Sequence, residues 1–261
     1  MSVEIKSKAE LELMRQAGRI LGETLAYLQG CARPGVTLLE IDREADRFIR
    51  ARGCIPGFKG YDGFPNSVCT SVNEQVVHGI PSHRKLREGD LLSLDCGLIH
   101  RGFWADAGVS LAVGTVSPLA QRLLDVTREA LEIGISKARV GGRVGDISAA
   151  VQAHVEAAGF SVVRQFTGHG IGRDMHEEPP VPNFGVAGHG PVLKPGMVIA
   201  IEPMVNAGSP EVAVLGDGWT VVTVDRSLSA YFEHTVAIQE TGPEILTAIP
   251  EAATARRAAM L

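Results

Sequence analysis

Residues 91–112 read LLSLDCGLIHRGFWADAGVSLA, two apolar runs joined by a short polar turn. The length and composition of each run are typical of a β-strand, and the turn between them is short enough for a hairpin. The segment therefore predicts two antiparallel strands, Leu91–Ile99 and Gly102–Leu111.

Each predicted strand carries one acidic residue. A two-residue turn centred on His100 and Arg101 would place Asp95 directly opposite Asp106, with Cβ atoms about 5 Å apart. Like charges at this distance destabilise a sheet, and a bound cation would remove the repulsion. A longer turn would shift the register by one residue and send the two side chains to opposite faces. A purely structural role for one of the two carboxylates is therefore the alternative.

Three further ionisable residues lie in similarly apolar or glycine-rich settings. They are His169 in FTGHGIG, Glu202 in VIAIEPM and Glu233 in AYFEHTV. A carboxylate carried into a core needs a partner. Four carboxylates and one imidazole, without a thiolate, suit two divalent ions such as Mn, Fe, Co or Zn, and the charges balance. The candidate metal ligands are Asp95, Asp106, His169, Glu202 and Glu233.

Size and charge limit the other classes of function. A chain of 261 residues with 45% hydrophobic content can form one large domain with a substantial core. A net charge of -5 argues against a general nucleic-acid surface, and the basic groups 82–87 and 254–260 are expected to be solvated faces. The four cysteines lack CxxC spacing, the N-terminus lacks a signal-peptide core, and no apolar run is long enough for a membrane span. A reduced, cytoplasmic protein is expected.

The order of predicted elements repeats along the chain. Apolar spacing predicts helices at 10–29, 38–52, 118–138 and 144–158. Each pair is followed by strand-like segments, and an offset of 106 positions aligns Gly35 with Gly141 while it keeps the apolar positions in phase. This pattern predicts a single domain, 1–261, with duplicated halves at about 5–112 and 117–243. Two unrelated helix pairs with ordinary amphipathic spacing are the alternative.

Six motifs give the chain a specific resemblance. They are NEQVVHGIP, LLSLDCG, GFWADAG, TGHGIGRDMHEEP, IAIEPM and DGWTVVTVDRSLSAYFEHT. In this order and spacing, from about Ile5 to Pro243, they resemble those of the type I methionine aminopeptidases. The resemblance implies an α/β (α+β) fold, the duplicated "pita-bread" arrangement, with pseudo-two-fold related halves around a central dinuclear metal site. It also implies that Asp106 and Glu233 bridge the two divalent ions.

The same resemblance narrows the subtype. Only 31 positions separate Glu202 from Glu233, which leaves no room for the helical insertion of the similar type II enzymes. The chain also lacks the zinc-binding N-terminal extension typical of eukaryotic type I forms, so a short bacterial form is expected. Phe64 stands where Tyr is common in bacterial relatives, and Met175 stands where an aromatic residue is common. Both conservative departures bear on fine substrate preference.

The activity implied by the resemblance is metal-dependent removal of the N-terminal methionine from nascent proteins, with a small second residue preferred. Glu202 is expected to accept and pass on a proton, while His78 and His176 contact the substrate and stabilise the tetrahedral intermediate. A free α-amine can bind a metal only when it is unblocked, which makes the expected enzyme an aminopeptidase. The residues expected to line the methionine pocket are Phe58, Tyr61, Phe64, Cys69, Met175 and Trp219.

Two other functions are compatible with the same fold. An Xaa-Pro aminopeptidase usually carries a large N-terminal domain, whereas only about 75 residues precede His78 here. A non-catalytic binding protein is the second alternative, against which the intact set of five ligands argues. The expected partners are nascent polypeptide N-termini. A ribosome contact is left open, and the chain is expected to be a monomer.

Overall fold

The computed structural model describes residues 3–250. Its helices are α1 (Lys8–Cys31), α2 (Leu38–Ala51), α3 (Pro118–Lys137) and α4 (Val144–Ala157). Its strands are β1 (Ile55–Pro56), β2 (Cys69–Val72), β3 (Leu91–His100), β4 (Phe103–Ala112), β5 (Ser161–Val162), β6 (Thr167–Gly170), β7 (Glu177–Pro182), β8 (Val198–Ile201), β9 (Met204–Asn206), β10 (Val212–Val214), β11 (Val221–Thr223), β12 (Ser229–Tyr231), β13 (Glu233–Gln239) and β14 (Gly242–Ile245). The predicted basic group 254–260 lies outside the described residues.

The four helices confirm the helical segments predicted from apolar spacing. Helices α1 and α2 begin at capping boxes, in which the side chains of Ser7 and Thr37 accept hydrogen bonds from backbone N–H groups of the first turn. Gly53 and Gly159 follow α2 and α4 with φ values of 70° and 78°. These left-handed residues end the helices, as glycine does at this position in many proteins.

An antiparallel sheet of nine strands forms the framework of the molecule. Its strand order is β1-β3-β4-β13-β8-β6-β7, and β2 and β14 pair with β3 and β13. Helix α1 packs against β3 and β4, and α3 packs against α4 and the strands of the second half. The predicted α/β (α+β) fold class is therefore confirmed.

The predicted hairpin exists, but its predicted register is wrong. The turn lies on Arg101 and Gly102, whose φ values of 50° and 82° are both positive, as a two-residue turn that matches the strand twist requires. Asp95 therefore pairs with Gly108, and Asp106 pairs with Gly97. The register differs by two residues from the prediction. Both carboxylates consequently stay on the same face as diagonal rather than direct neighbours.

The proposed internal repeat has counterparts in the backbone. Gly35 and Gly141, which the offset aligns, have φ values of 91° and 84°. Glu40 and Asp146, aligned by the same offset, both accept a hydrogen bond from the backbone N–H of the residue before their helix. The description of the chain as one domain with duplicated halves stays a prediction.

Surface features follow the expectations from composition. Of the basic group 82–87, every residue except Leu86 is exposed. The cysteines Cys31, Cys54, Cys69 and Cys96 are all free thiols. Within residues 3–250, no helix combines the length and the hydropathy needed to cross a membrane.

Candidate metal centre and substrate pocket

Five neighbouring strands of the large sheet each bring one candidate ligand to the same place. Asp95 lies on β3, Asp106 on β4, and Glu233 begins β13. Glu202 follows directly after β8, and His169 lies on β6. Because β3, β4, β13, β8 and β6 are consecutive in the sheet, residues far apart in sequence become neighbours.

The distances define a compact group of potential ligand atoms. Asp106, His169 and Glu233 each offer one ligand atom, and these atoms lie within 4.8 Å of one another. The Nε2 atom of His169 is 3.7 Å from Glu202 Oε1 and 3.9 Å from Asp106 Oδ2. Burial, followed by the negative charge of Asp95, raises the pKa of Asp106, so Asp95 belongs to the same electrostatic group.

Several oxygens of this group are buried without a hydrogen-bond partner. Among the described residues these include Asp95 Oδ1, Asp106 Oδ1 and Glu233 Oε1. A buried carboxylate oxygen that accepts nothing costs free energy, and bound cations would compensate it. Oxygen donors together with one imidazole nitrogen also suit divalent ions chemically. The residues present therefore fit a metal centre.

Burial and mutual repulsion act in the same direction on the acidic groups. Burial raises the pKa of Asp95 to about 7. Burial, followed by the charges of neighbouring carboxylates, raises the pKa values of Asp106, Glu202 and Glu233 well above their usual range. Without positive charge, four ionised carboxylates at this spacing are unfavourable.

His169 has an orientation suited to a ligand. Its Nδ1 is 2.9 Å from the carbonyl oxygen of Gly170 and donates a proton to it, because a carbonyl can only accept. The Nε2 atom then carries a lone pair and faces the carboxylates. Burial, with a smaller effect of His176, lowers the pKa of His169 to about 4, so the ring is neutral near pH 7. Hydrogen bonding of the far nitrogen to a carbonyl is the usual arrangement for a metal-binding histidine.

Two polar residues beside Glu233 were not identified from the sequence. The hydroxyl of Thr235 donates to the carbonyl of Asp106 at 2.7 Å and accepts from its N–H at 3.1 Å. The hydroxyl of Tyr231 donates to Glu233 Oε2 at 2.5 Å. Both lie two residues from Glu233, and in extended chain that spacing puts side chains on one face. This periodicity is the signal that could have found them.

The two predicted substrate-contacting histidines lie next to aromatic residues. The His176 ring is 4.5 Å from that of His169, and its Nδ1 shares a 2.9 Å hydrogen bond with the Tyr61 hydroxyl. His78 lies edge-on to Trp219, with ring centroids 6.3 Å apart, and has a φ of 58°. A non-glycine residue in this conformation is uncommon and is often held at functional sites. Burial and His176 lower the pKa of His78 to about 4, and burial lowers that of His176.

The six predicted pocket residues belong to one hydrophobic cluster. In it, Phe64 packs edge-on against Phe58 and Trp219, with centroid distances of 6.4 Å and 5.2 Å. Cys69 pairs with Asp95 across β2 and β3, which sets the cluster beside the carboxylates. The structure thus brings together Phe58, Tyr61, Phe64, Cys69, Met175 and Trp219.

Trp104 is a further member of this cluster that the sequence analysis did not assign to the pocket. Its ring lies 5.5 Å from that of Tyr61. Gly97 shapes the same wall, because a Cβ atom there would come within 2.5 Å of the Phe58 ring. A glycine opposite Asp106 therefore lets an aromatic ring lie directly over the strand.

Comparisons with known proteins agree with this geometry. The model of metallopeptidase family M24 matches residues 12–240. A methionine aminopeptidase of Clostridium perfringens is 55% identical over 245 residues, which are 94% of this chain and 98% of that protein. The crystal structure of methionine aminopeptidase from Rickettsia prowazekii is similar with a TM-score of 0.93 and 40% identity, and the match covers 94% of this chain and 100% of that one.

A more distant likeness bears on the Xaa-Pro alternative. Prolidase from Pyrococcus furiosus matches with a TM-score of 0.75 and 21% identity, covering 93% of this chain and 65% of that one. At this identity the match shows a shared fold only. Compared with the matches to methionine aminopeptidases, it does not favour an Xaa-Pro peptidase.

Proposed function

Because the chain belongs to metallopeptidase family M24 and, within it, to the methionine aminopeptidases, we propose that its five clustered ligand residues hold two divalent ions. The chain is a metal-dependent hydrolase that removes the N-terminal methionine from nascent proteins. The observation that carries the proposal is the set of buried carboxylate oxygens without partners beside the Nε2 atom of a neutral histidine. The proposed ligands are Asp95, Asp106, His169, Glu202 and Glu233, with Asp106 and Glu233 shared between the ions.

Divalent ions at this centre would lower the pKa of bound water toward 7 and polarise the peptide carbonyl. The candidate ions are Mn, Fe, Co and Zn, since each tolerates oxygen ligands with one imidazole.

Glu202 is the proposed proton acceptor. It follows the end of β8, and its side chain is 12% exposed, somewhat more than Asp95, Asp106 and Glu233. A carboxylate that keeps some contact with solvent can take a proton from the attacking water and pass it to the leaving amine. Asn183 supports its position, because the Nδ2 group donates to the Glu202 carbonyl oxygen at 3.1 Å.

His78 and His176 are the proposed donors to the substrate carbonyl oxygen. Burial keeps both rings neutral near pH 7, so each retains one N–H. The contact of His176 Nδ1 with Tyr61 leaves Nε2 for the substrate. A fixed donor is most effective when it points to the place where negative charge develops, which stabilises the tetrahedral intermediate.

The aromatic cluster is the proposed binding site for the methionine side chain. Phe58, Phe64, Trp219 and Cys69 belong to one cluster and provide a soft apolar surface, and Cys69 pairs with Asp95 of the carboxylate group. A thioether gains about 0.3 to 1.5 kcal/mol against an aromatic edge. Methionine is therefore favoured over branched or shorter side chains as the first residue of the substrate. A small side chain is expected to be preferred at the second residue.

The finer statements about partners and location are also proposals. Four free thiols and a net charge of -5 support a reducing, cytoplasmic setting and argue against binding to nucleic acid. We expect a monomer. Because the substrates are nascent chains, contact with the ribosome is compatible with this function.

The test compares Met-Ala-Ser, its N-acetylated form and a Met-Pro-Ser peptide with chelator-treated and metal-restored protein. Only Met-Ala-Ser should be cleaved rapidly, and only after metal is restored at about two ions per chain. Rapid cleavage by the metal-free protein would contradict the metal role. Equal cleavage of the acetylated peptide would contradict aminopeptidase action, and a clear preference for Met-Pro-Ser would favour the Xaa-Pro alternative.

A further inference from the structure

Tyr231 is a buried residue next to the proposed metal centre whose role goes beyond the ligand set. It ends β12 and is 3% exposed. Its hydroxyl donates to Glu233 Oε2 at 2.5 Å, while Glu233 Oε1 is buried and has no hydrogen-bond partner among the described residues. The two oxygens of one carboxylate therefore have different environments.

The backbone of Tyr231 is held from both sides by Ser110. The Tyr231 N–H donates to Ser110 Oγ at 2.9 Å, and Ser110 Oγ donates to the Tyr231 carbonyl at 2.8 Å. Because that hydroxyl has already given its proton, Ser93, at 2.6 Å, must be the donor in the bond between the two serines. A chain of hydroxyls from β3 through β4 thus fixes where β12 ends.

The ring of Tyr231 occupies a space that the sheet leaves for it. Gly108 pairs with Glu233 and with Asp95 in the adjacent strands. A Cβ atom on Gly108 would lie 2.0 Å from the Tyr231 ring, so only glycine permits the ring to lie there. Tyr231 also belongs to a hydrophobic cluster that includes Val76, Val212 and Val221. This packing around the ring fixes the position of the Tyr231 hydroxyl.

The hydrogen bond has a defined direction. An ionised carboxylate can only accept, and the phenol hydroxyl of Tyr231 carries the proton that lies between the two oxygens. Tyr231 therefore donates, and Oε2 loses one of the lone pairs with which it could bind an ion.

We propose that Tyr231 is a positioning residue of the metal centre, whose hydroxyl occupies one lone pair of Glu233 Oε2 and so orients the carboxylate with Oε1 toward an ion shared with Asp106 and His169. This inference rests on the proposed role of Glu233 as a ligand. Outer partners of metal ligands typically contribute 10- to 100-fold to metal affinity.

The experiment is a calorimetric titration of chelator-treated protein with Mn²⁺, followed by the absorption spectrum of the Co²⁺ form. Tyr231→Phe keeps the ring over Gly108 and removes only the hydroxyl. We expect at least one of the two ions to bind roughly 10-fold more weakly or worse, and the Co²⁺ spectrum to change. The matched control is Tyr27→Phe, since the Tyr27 hydroxyl also donates to a glutamate, Glu44, on helix α2.

Unchanged Mn²⁺ affinity and an unchanged Co²⁺ spectrum in Tyr231→Phe would overturn the proposal, and so would an equal loss in Tyr27→Phe. If Tyr231→Phe does not fold, a crystal structure of the wild-type protein with Mn²⁺ decides. The hydroxyl should stay within hydrogen-bond distance of Glu233, and a hydroxyl bound to the metal or turned away would refute the role. If the wild-type protein does not bind Mn²⁺, the proposed metal centre itself is contradicted. If the wild type and Tyr231→Phe bind Mn²⁺ equally well, only the proposed role of Tyr231 is contradicted.

Discussion

Buried carboxylates occur in two settings in this molecule, and burial does not distinguish them. Asp42 and Asp90 are 7% and 6% exposed, and Asp95 and Asp106 are 7% and 3% exposed. The first two have hydrogen bonds to both oxygens: Asp42 accepts from Ser67 N–H and the Asn66 amide.

Asp90 is paired just as completely. It accepts from the amide of Asn73 and the N–H of Arg87, both at 2.9 Å. Asp95 and Asp106, by contrast, each keep a buried oxygen without a partner. The difference indicates that unsatisfied oxygens gathered in one place, rather than burial, mark the candidate site.

The largest expected effect comes from exchanging one carboxylate in each setting. Asp106→Asn should reduce turnover of Met-Ala-Ser by about 100-fold or more, because it removes a proposed bridging ligand and even outer partners of ligands act over this range. In the metal-free state the variant should be at least as stable as wild type, since one repelling charge is gone. Turnover and thermal melting of the chelated protein check this.

Asp90→Asn is the matched control and should behave in the opposite way. It disrupts a fully paired group, so it should destabilise the fold by about 1 to 3 kcal/mol without change in metal content. If Asp106→Asn with added metal cleaves Met-Ala-Ser as fast as the wild type, buried oxygens without partners do not mark the active site.

His176→Ala tests a residue that lies beside the metal centre but is not proposed as a ligand. Its loss should lower kcat by about 10² to 10³, the usual effect of removing one donor to a developing oxyanion. Metal content should stay at the wild-type value, and exposed His189→Ala should change neither quantity. Loss of bound metal in His176→Ala would instead make it a ligand.

The response to pH should also separate the two settings. The carboxyl groups of the centre have raised pKa values in the folded chain, about 7 for Asp95, so the metal-free protein binds more protons folded than unfolded. The contribution of these carboxyl groups to stability is therefore largest below about pH 4 and falls as pH rises through 7.

Metal ions act in the opposite direction, because they bind the deprotonated ligands. The stabilisation by Mn²⁺ relative to a chelator should grow from pH 5.5 to pH 8 and approach roughly 2.7 kcal/mol at a hundredfold excess over Kd. Melting curves at both pH values measure it. A difference that is constant or shrinks with rising pH would count against the coupling.

The smallest expected effect concerns the pocket. Trp219→Ala removes a ring that packs against Phe64 and His78. The kcat/KM ratio of Met-Ala-Ser to Leu-Ala-Ser should fall by about tenfold, within the 1 to 3 kcal/mol that such pockets contribute. Metal content should not change, and Phe184→Ala, whose ring contacts Arg164 and packs against a different hydrophobic cluster, is the control. Equal cleavage of both peptides by the wild type would refute the pocket.

Much of the fold was predictable, because apolar spacing agrees with capping boxes at α1 and α2 and with a terminal glycine after α2 and α4. The hairpin was predictable, but its register was not read correctly. The turn was centred one residue too early, although Gly102 is the natural residue for a positive φ. The register error amounted to two residues rather than one, so the carboxylates stayed on one face and the inference of a shared site was not affected.

The roles of Tyr231 and Thr235 follow from which strands pair with each other, and the sequence of one strand does not reveal its neighbours. Tyr231 resembles an ordinary core aromatic until Gly108 is known to lie opposite Glu233. Thr235 resembles a strand residue, and only the pairing of β13 with β4 shows that its hydroxyl replaces a backbone hydrogen bond at Asp106. The five candidate ligands could be named from sequence because each is a charged or imidazole group in an unsuitable local setting.

Anomalous diffraction from crystals soaked in Mn²⁺ tests the central claim most directly. Two peaks should lie among Asp95, Asp106, His169, Glu202 and Glu233, with none at Asp42 or Asp90. Saturating Mn²⁺ without density between the five residues, or with equal density at the fully paired carboxylates, would contradict the account.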